Sequence, residues 1–283
     1  MDTPENLVQL IGSESERLTQ YLHTLSPEAW HHPSACEQWE VCDVVGHLTW
    51  LAEFFVDTVS RGVHGDTSVP AGRPPGDIPA GASFHTYIAQ RAIAYREHVG
   101  EDLLPTFGTC YAQWQHLVTG RPPSDWDAPC AFWRGTVPVR VVLVQSIQEL
   151  VIHGWDIRSR FEPMAQLSAE SLPVLMGRIP ARLGGSGYPD FRFDTQPPRP
   201  VCYRFALTGA APSTHDILVE NAKARMAPAG TATPHVTFHC ATGTFVLMMY
   251  RRLTLEPVLA AGELVVEGDP GLTAAFDRWL KEA

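Results

Sequence analysis

Hydrophobic positions recur at helical spacing through the first half of the chain and at strand spacing through much of the second. Leu7, Leu10, Ile11, Leu18 and Leu22 predict a helix from Pro4 to about Leu25. Val41, Val44, Val45, Leu48, Ala52 and Phe55 predict another from near Glu40 to about Arg61. Helices are also expected from about Ser83 to beyond Val99 and over Leu104–Leu117. Between Val139 and Ile157 the apolar residues leave no broad polar face, which predicts a buried helix from about Val137 to Arg160. The Gly/Pro-rich stretch Gly62–Gly81 and the pairs Pro122-Pro123 and Ala128-Pro129 read as connections. The pattern is that of an antiparallel helical bundle.

After Phe161-Glu162-Pro163 the pattern changes. A helix over about Ala169–Leu183 and a Gly/Pro-rich stretch, Gly184–Pro200, precede short alternating segments. Val201–Leu207, Asp216–Val219, His235–Cys240 and Glu263–Glu267 predict strands. Thr242–Arg252 and Pro270–Leu280 predict helices. The expected organisation is a helical domain over residues 1–165 and a smaller α+β domain over 166–283, with no internal repeat.

Composition narrows the function classes. At 283 residues with 45% hydrophobic and 18% charged residues, the chain is globular. A formal net charge of −10 and the absence of a Lys/Arg cluster argue against a nucleic-acid partner. No apolar run reaches membrane-spanning length, and the first residues lack the regions of a signal peptide. Six scattered cysteines without a CxxC pair read as reduced thiols, so a cytoplasmic location is expected.

The candidate chemistry lies in the buried helix. Gln145, Glu149, His153 and Asp156 fall on one narrow stripe of a segment that is otherwise apolar. A carboxylate there is costly unless it is paired, protonated or bound to a cation. His47, at the edge of the apolar stripe of the second helix, is the best further ligand. Two imidazoles and one carboxylate leave a coordination position open, the pattern of a catalytic zinc site. Each feature also has a plainer reading. His47 could be a core histidine, and Glu149 could pair with Arg140 or an arginine of the second domain. Asp43 suits the third position of a helix, and Asp156 either orients His153 or makes a structural bond near the helix end. Trp50 and Trp155 could wall a pocket but suit the core, and loop residues His31 and His32 are read as solvated.

Two segments carry a resemblance: Trp39, Val41, Asp43-Val44-Val45-Gly46-His47-Leu48, and Glu149-Leu150, His153, Trp155-Asp156. They resemble the DinB-like, mycothiol-dependent maleylpyruvate isomerase family. The run Leu264-Val265-Val266-Glu267-Gly268-Asp269-Pro270, preceded by Arg252-Leu253, is similar to that family's C-terminal domain. The resemblance implies a DinB-like four-helix bundle with a divalent metal, usually zinc, joined to a sterol-carrier-like α+β domain. It implies His47, Glu149 and His153 as metal ligands, and Arg252, with Arg251 adjacent as the rival, as an active-site arginine. Glu40 departs from the family, which commonly has Thr or Ser before Val41 as the helix N-cap.

The function expected from this resemblance is a metalloenzyme that activates mycothiol for attack on a small electrophile. Maleylpyruvate isomerisation is the best-known version, and mycothiol S-transfer or S-conjugate exchange is a variant. The rival is a non-catalytic binding protein with a structural metal and an apolar ligand in its C-terminal domain. A fourth protein ligand, such as His31 or Asp43, would favour that rival.

Overall fold

The computed structural model of the protein describes residues 3–73, 78, 83–133, 135–184, 199–221 and 223–281. Most of the loop expected over Gly184–Pro200 and part of that over Gly62–Gly81 lie outside the described residues. The chain divides into two compact units, Met1–Ala165 and Gln166–Ala283.

The first unit is helical. Thr3 accepts the Asn6 amide at the start of α1 (Pro4–Leu22). This helix stops short of Leu25 because Ser26 is extended before Pro27 and caps a separate turn, Pro27–His31. Then follow α2 (Val41–Gly62), α3 (Phe84–Val99) and α4 (Leu103–Val118). A hairpin of β1 (Pro129–Phe132) and β2 (Gly135–Pro138) leads into α5 (Val139–Arg158). Where this hairpin stands, the prolines predict only a connection. Its strands are four residues each and begin or end on proline, too short and too interrupted to show alternation.

Packing closes a ring of four. α1 lies against α4 and α5, and α2 against the same two, while α3 covers α2 from outside. Gly46 makes the α2–α3 approach possible: a Cβ there would stand 3.0 Å from the Ala92 carbonyl oxygen and 3.1 Å from Arg96 Cβ. Ile11, Phe54, Phe55, Phe107, Trp114 and Ile147 are fully buried in this unit. This rigid, apolar frame surrounds the polar stripe of α5.

The second unit begins with α6 (Leu172–Leu183) and continues with β3 (Val201–Thr208), β4 (Ser213–Glu220), β5 (Lys223–Pro228) and β6 (Val236–Ala241). It ends with α7 (Thr242–Met249), α8 (Leu255–Ala260), β7 (Leu264–Gly268) and α9 (Pro270–Lys281). The sheet order is β5-β4-β3-β6-β7, antiparallel except for the parallel β3–β6 pair. On it, α9 lays Phe276 against Tyr203, Phe205 and Phe238. β5 and α8 are additions to the sequence reading, and α7 ends before Arg252. The left-handed backbone at Arg251 (φ 59°) breaks the helix there. Gly268 closes β7 with φ 117°, and a Cβ would meet the His235 carbonyl oxygen at a forbidden distance, so only glycine fits.

The fold class is therefore a helical N-terminal unit joined to an α+β unit with a mixed sheet. No helix among the described residues is long and apolar enough to cross a membrane.

Candidate metal centre

α2 and α5 pack side by side, and their polar residues meet inside the ring. Four-residue spacing on α5 puts Glu149 and His153 on one face. His47, from the second turn of α2, completes the group. Glu149 Oε2 lies 3.3 Å from His47 Nε2 and 3.1 Å from His153 Nε2. One ligand atom from each of the three residues fits within a span of 4.8 Å. The imidazoles meet edge to face, with ring centroids 5.0 Å apart.

Each member is held by a neighbour. Gln145 donates from Nε2 to the other Glu149 oxygen at 2.5 Å. Asp156, fully buried, holds His153 Nδ1 at 2.9 Å, which leaves Nε2 facing Glu149. Cys36 donates from Sγ to the same Asp156 oxygen at 3.0 Å. Trp39 leans over both imidazoles, with centroids 5.0 Å from His47 and 6.0 Å from His153. His47 Nδ1 is buried with no hydrogen-bond partner among the described residues.

Burial and mutual hydrogen bonding shift all three groups. Burial pushes the His47 imidazole down from its ordinary value. Burial would raise Glu149, but hydrogen bonds from His153 and His47 hold it well below the usual carboxylate range. Burial also opposes protonation of His153, yet its neighbours Cys36, Asp156 and Glu149 together raise it well above its usual value.

The donor set fits a divalent ion. Metal–ligand bonds of about 2.0–2.2 Å at tetrahedral angles separate neighbouring donors by roughly 3.3–3.5 Å, close to the two N–O distances found. Two nitrogens and one oxygen, with a carboxylate behind one histidine, suit zinc and its borderline neighbours.

The other candidates fall elsewhere. Asp43 accepts the Glu40 amide at 3.0 Å and pairs with Arg96 at 3.0 Å, both at the start of α2. His31 bonds Glu40, and His32 bonds the Pro33 carbonyl. Trp50 stacks on Trp133 and Phe54, under Arg73 and Arg91. Trp155 donates to the Ala165 carbonyl, and Arg140 pairs with Asp127. Arg252 belongs to the second unit, where its Nη1 donates to the Tyr250 carbonyl at 3.2 Å. Cys36 was missed from the sequence because its loop has no period to read. Trp39 and Gln145 were visible, as a motif residue and a stripe member, without an assigned role.

Two sequence profiles match the chain. That of the mycothiol maleylpyruvate isomerase N-terminal domain covers residues 11–158, and that of the SCP-2 sterol transfer family covers 200–281. No curated protein matches. Among solved structures, the crystal structure of a mycothiol-dependent maleylpyruvate isomerase superposes with a TM-score of 0.64 at 14% identity. That alignment covers 94% of this chain and 93% of the other. A histidine-to-alanine mutant of that isomerase superposes with the same TM-score at 13% identity and the same coverage. At such identities the likeness is one of fold. The isomerase profile spans more than half of the residues, and on that ground the chain belongs to the mycothiol maleylpyruvate isomerase N-terminal domain family.

Proposed function

We propose that this chain is a divalent-metal enzyme that activates a low-molecular-weight thiol, mycothiol, against a small electrophile. The reaction is a cis–trans isomerisation of the maleylpyruvate type or a mycothiol S-transfer. The observation that carries the reading is the convergence of His47 Nε2, Glu149 Oε2 and His153 Nε2 in the interior of the bundle. Family membership and the name of the superposed isomerase support the thiol and the reaction class.

A zinc-like ion held by these three residues would supply Lewis acidity, keeping a thiol ionised at neutral pH. The protein's own part is positional. Asp156 fixes the His153 tautomer, and Gln145 holds Glu149 so that one oxygen faces the histidines. Trp39 and the apolar ring enclose most of the cluster, which strengthens the charge interactions there. Arg252 is the residue we assign to a carboxylate or other anionic group of the substrate. We take residues 1–165 as the metal-holding domain and 166–283 as a separate α+β domain that carries Arg252. Six cysteines, none of them in a disulfide among the described residues, are consistent with a cytoplasmic enzyme.

The test joins metal analysis, thiol titration and turnover. The chain should bind one equivalent of metal at this centre, take up mycothiol only when loaded, and convert an activated alkene or mycothiol conjugate. Protein that stays metal-free and ignores the thiol would defeat the reading. Match to the SCP-2 profile favours a second reading for residues 200–281, an apolar-ligand carrier. Binding of a fluorescent acyl chain by metal-free protein, without any turnover, would favour it.

A further inference from the structure

The strongest unassigned cluster lies at the start of α2. We propose that His31, Glu40 and Cys42 form a second zinc site, one that includes a thiolate and shares no ligand with the first. The backbone prepares it. His31 ends the turn Pro27–His31, and the following loop folds back on itself: the Val41 amide donates to His32 O at 3.1 Å, the Ser34 amide to Trp39 O at 2.9 Å, and Pro33 bridges Glu40. The ends of this loop are thereby pinned together. His31 Nδ1 comes to 2.9 Å from Glu40 Oε2, and Cys42 Sγ to 3.4 Å from the same oxygen. All three residues offer a ligand atom within a span of 4.8 Å.

Chemistry selects the ion. An imidazole, a carboxylate and a thiol form a borderline-to-soft set that suits zinc and excludes magnesium and calcium. Zinc binding would release the Cys42 proton to solvent and leave the sulfur as thiolate. Arg96, paired with Asp43 at 3.0 Å, and the amino end of α2 favour that thiolate, while Glu40 supplies negative charge for the ion. Access is open from one side, since the His31 and Glu40 side chains are 69% and 42% exposed while Cys42 is buried.

A rival sulfur cluster exists. Cys36, His153 and Asp156 also offer ligand atoms within 4.8 Å of one another, but they share His153 with the first centre. The experiment separates the two. Metal-stripped full-length protein is titrated with cobalt(II) in the absence of any added thiol, and the stoichiometry and the near-ultraviolet sulfur-to-cobalt charge-transfer band are read together. Two equivalents and a sulfur band are expected, because the His47/Glu149/His153 centre has no sulfur of its own. Cys42→Ser should abolish the band. His31→Ala and Glu40→Gln, both at exposed side chains, should weaken the second equivalent by more than the roughly 10–100-fold that an outer neighbour of a metal site is worth. Cys36→Ser and His153→Ala should keep the band, the latter with only one equivalent bound. The proposal is overturned if wild type shows no sulfur band. It is equally overturned if the band survives Cys42→Ser, or if it disappears in Cys36→Ser. Neither result depends on what the first centre catalyses.

Discussion

Each unit of the molecule holds a partly buried polar cluster, and the two are finished in opposite ways. In the C-terminal unit, Arg204 and Asp216 face each other across β3 and β4. Both carboxylate oxygens accept from the guanidinium, at 2.8 and 3.0 Å, and Asp216 also takes the Gly230 amide at 2.8 Å. Arg204 in turn reaches the carbonyls of Gly230 and Ala232. Donors and acceptors there are matched by the protein itself. The His47–Glu149–His153 cluster is not matched. Its two inward imidazole nitrogens have only the one Glu149 oxygen between them, at 3.3 and 3.1 Å, and His47 Nδ1 has no partner among the described residues. A closed cluster of this kind holds a fold together; an open one asks for something from outside.

The largest expected effect breaks the open cluster alone. His153→Ala should reduce metal affinity at this centre by more than about 100-fold, beyond the range assigned to outer neighbours. The helices should remain folded, because the unit keeps its fully buried apolar residues such as Ile11, Phe55 and Ile147. Full metal occupancy in this variant, measured by elemental analysis after dialysis, would end the assignment. Asp156→Asn comes next. It keeps shape and burial while weakening the hold on His153 Nδ1, so a roughly 10–100-fold loss of metal affinity is expected. An unchanged titration would make Asp156 a structural residue only.

Breaking the closed cluster should do the reverse, lowering stability without touching the metal. The Arg204 guanidinium beside Asp216 holds its carboxyl below the usual range. A depressed carboxylate pKa contributes stability that is present above the ordinary value and is lost as pH falls through the folded one. Asp216→Asn weakens the bonds from Arg204 and should cost up to about 1.5–3 kcal/mol at neutral pH, the scale of hydrogen bonds to charged groups, less whatever solvent screening removes. Its stability should then fall less steeply than wild type on acidification. Urea titrations across the acid range give both numbers, and loss of metal in this variant would show that the clusters are not independent.

These clusters also differ in how far the sequence reveals them. Glu149 and His153 announce themselves because a four-residue interval inside an apolar helix has one geometric meaning, and the bounds of α2 and α5 are read to within two residues. Arg204 and Asp216 are twelve positions apart and meet only through strand register, which alternation alone does not supply. Cys36 and the loop around it obey no period. β5, Lys-Ala-Arg-Met-Ala-Pro, is an edge strand of small and charged residues that carries no alternating signal. α8 is six residues with a proline among them. Long periodic elements with one buried face are legible; short edge pieces and loop-borne contacts are decided by tertiary packing.

The smallest effect tests how tightly the open cluster depends on its frame. Gly46 precedes His47 and lets α3 approach α2. In a helix interior, alanine is worth roughly 0.5–1 kcal/mol more than glycine. Here the added methyl would stand 3.0 Å from the Ala92 carbonyl oxygen, a backbone atom that moves only with its helix. Overpacking of that kind costs about 1–3 kcal/mol, so Gly46→Ala should come out destabilising by about 1 kcal/mol. Any outward shift of α3 is taken up on the far side of α2 from Glu149, which is held from α5 by Gln145. Metal affinity should accordingly fall less than in Asp156→Asn. A loss as large as that variant's would mean that helix spacing positions His47 as strongly as Asp156 positions His153. A gain in stability would mean that α3 yields freely, and that the glycine is there for a reason other than its size.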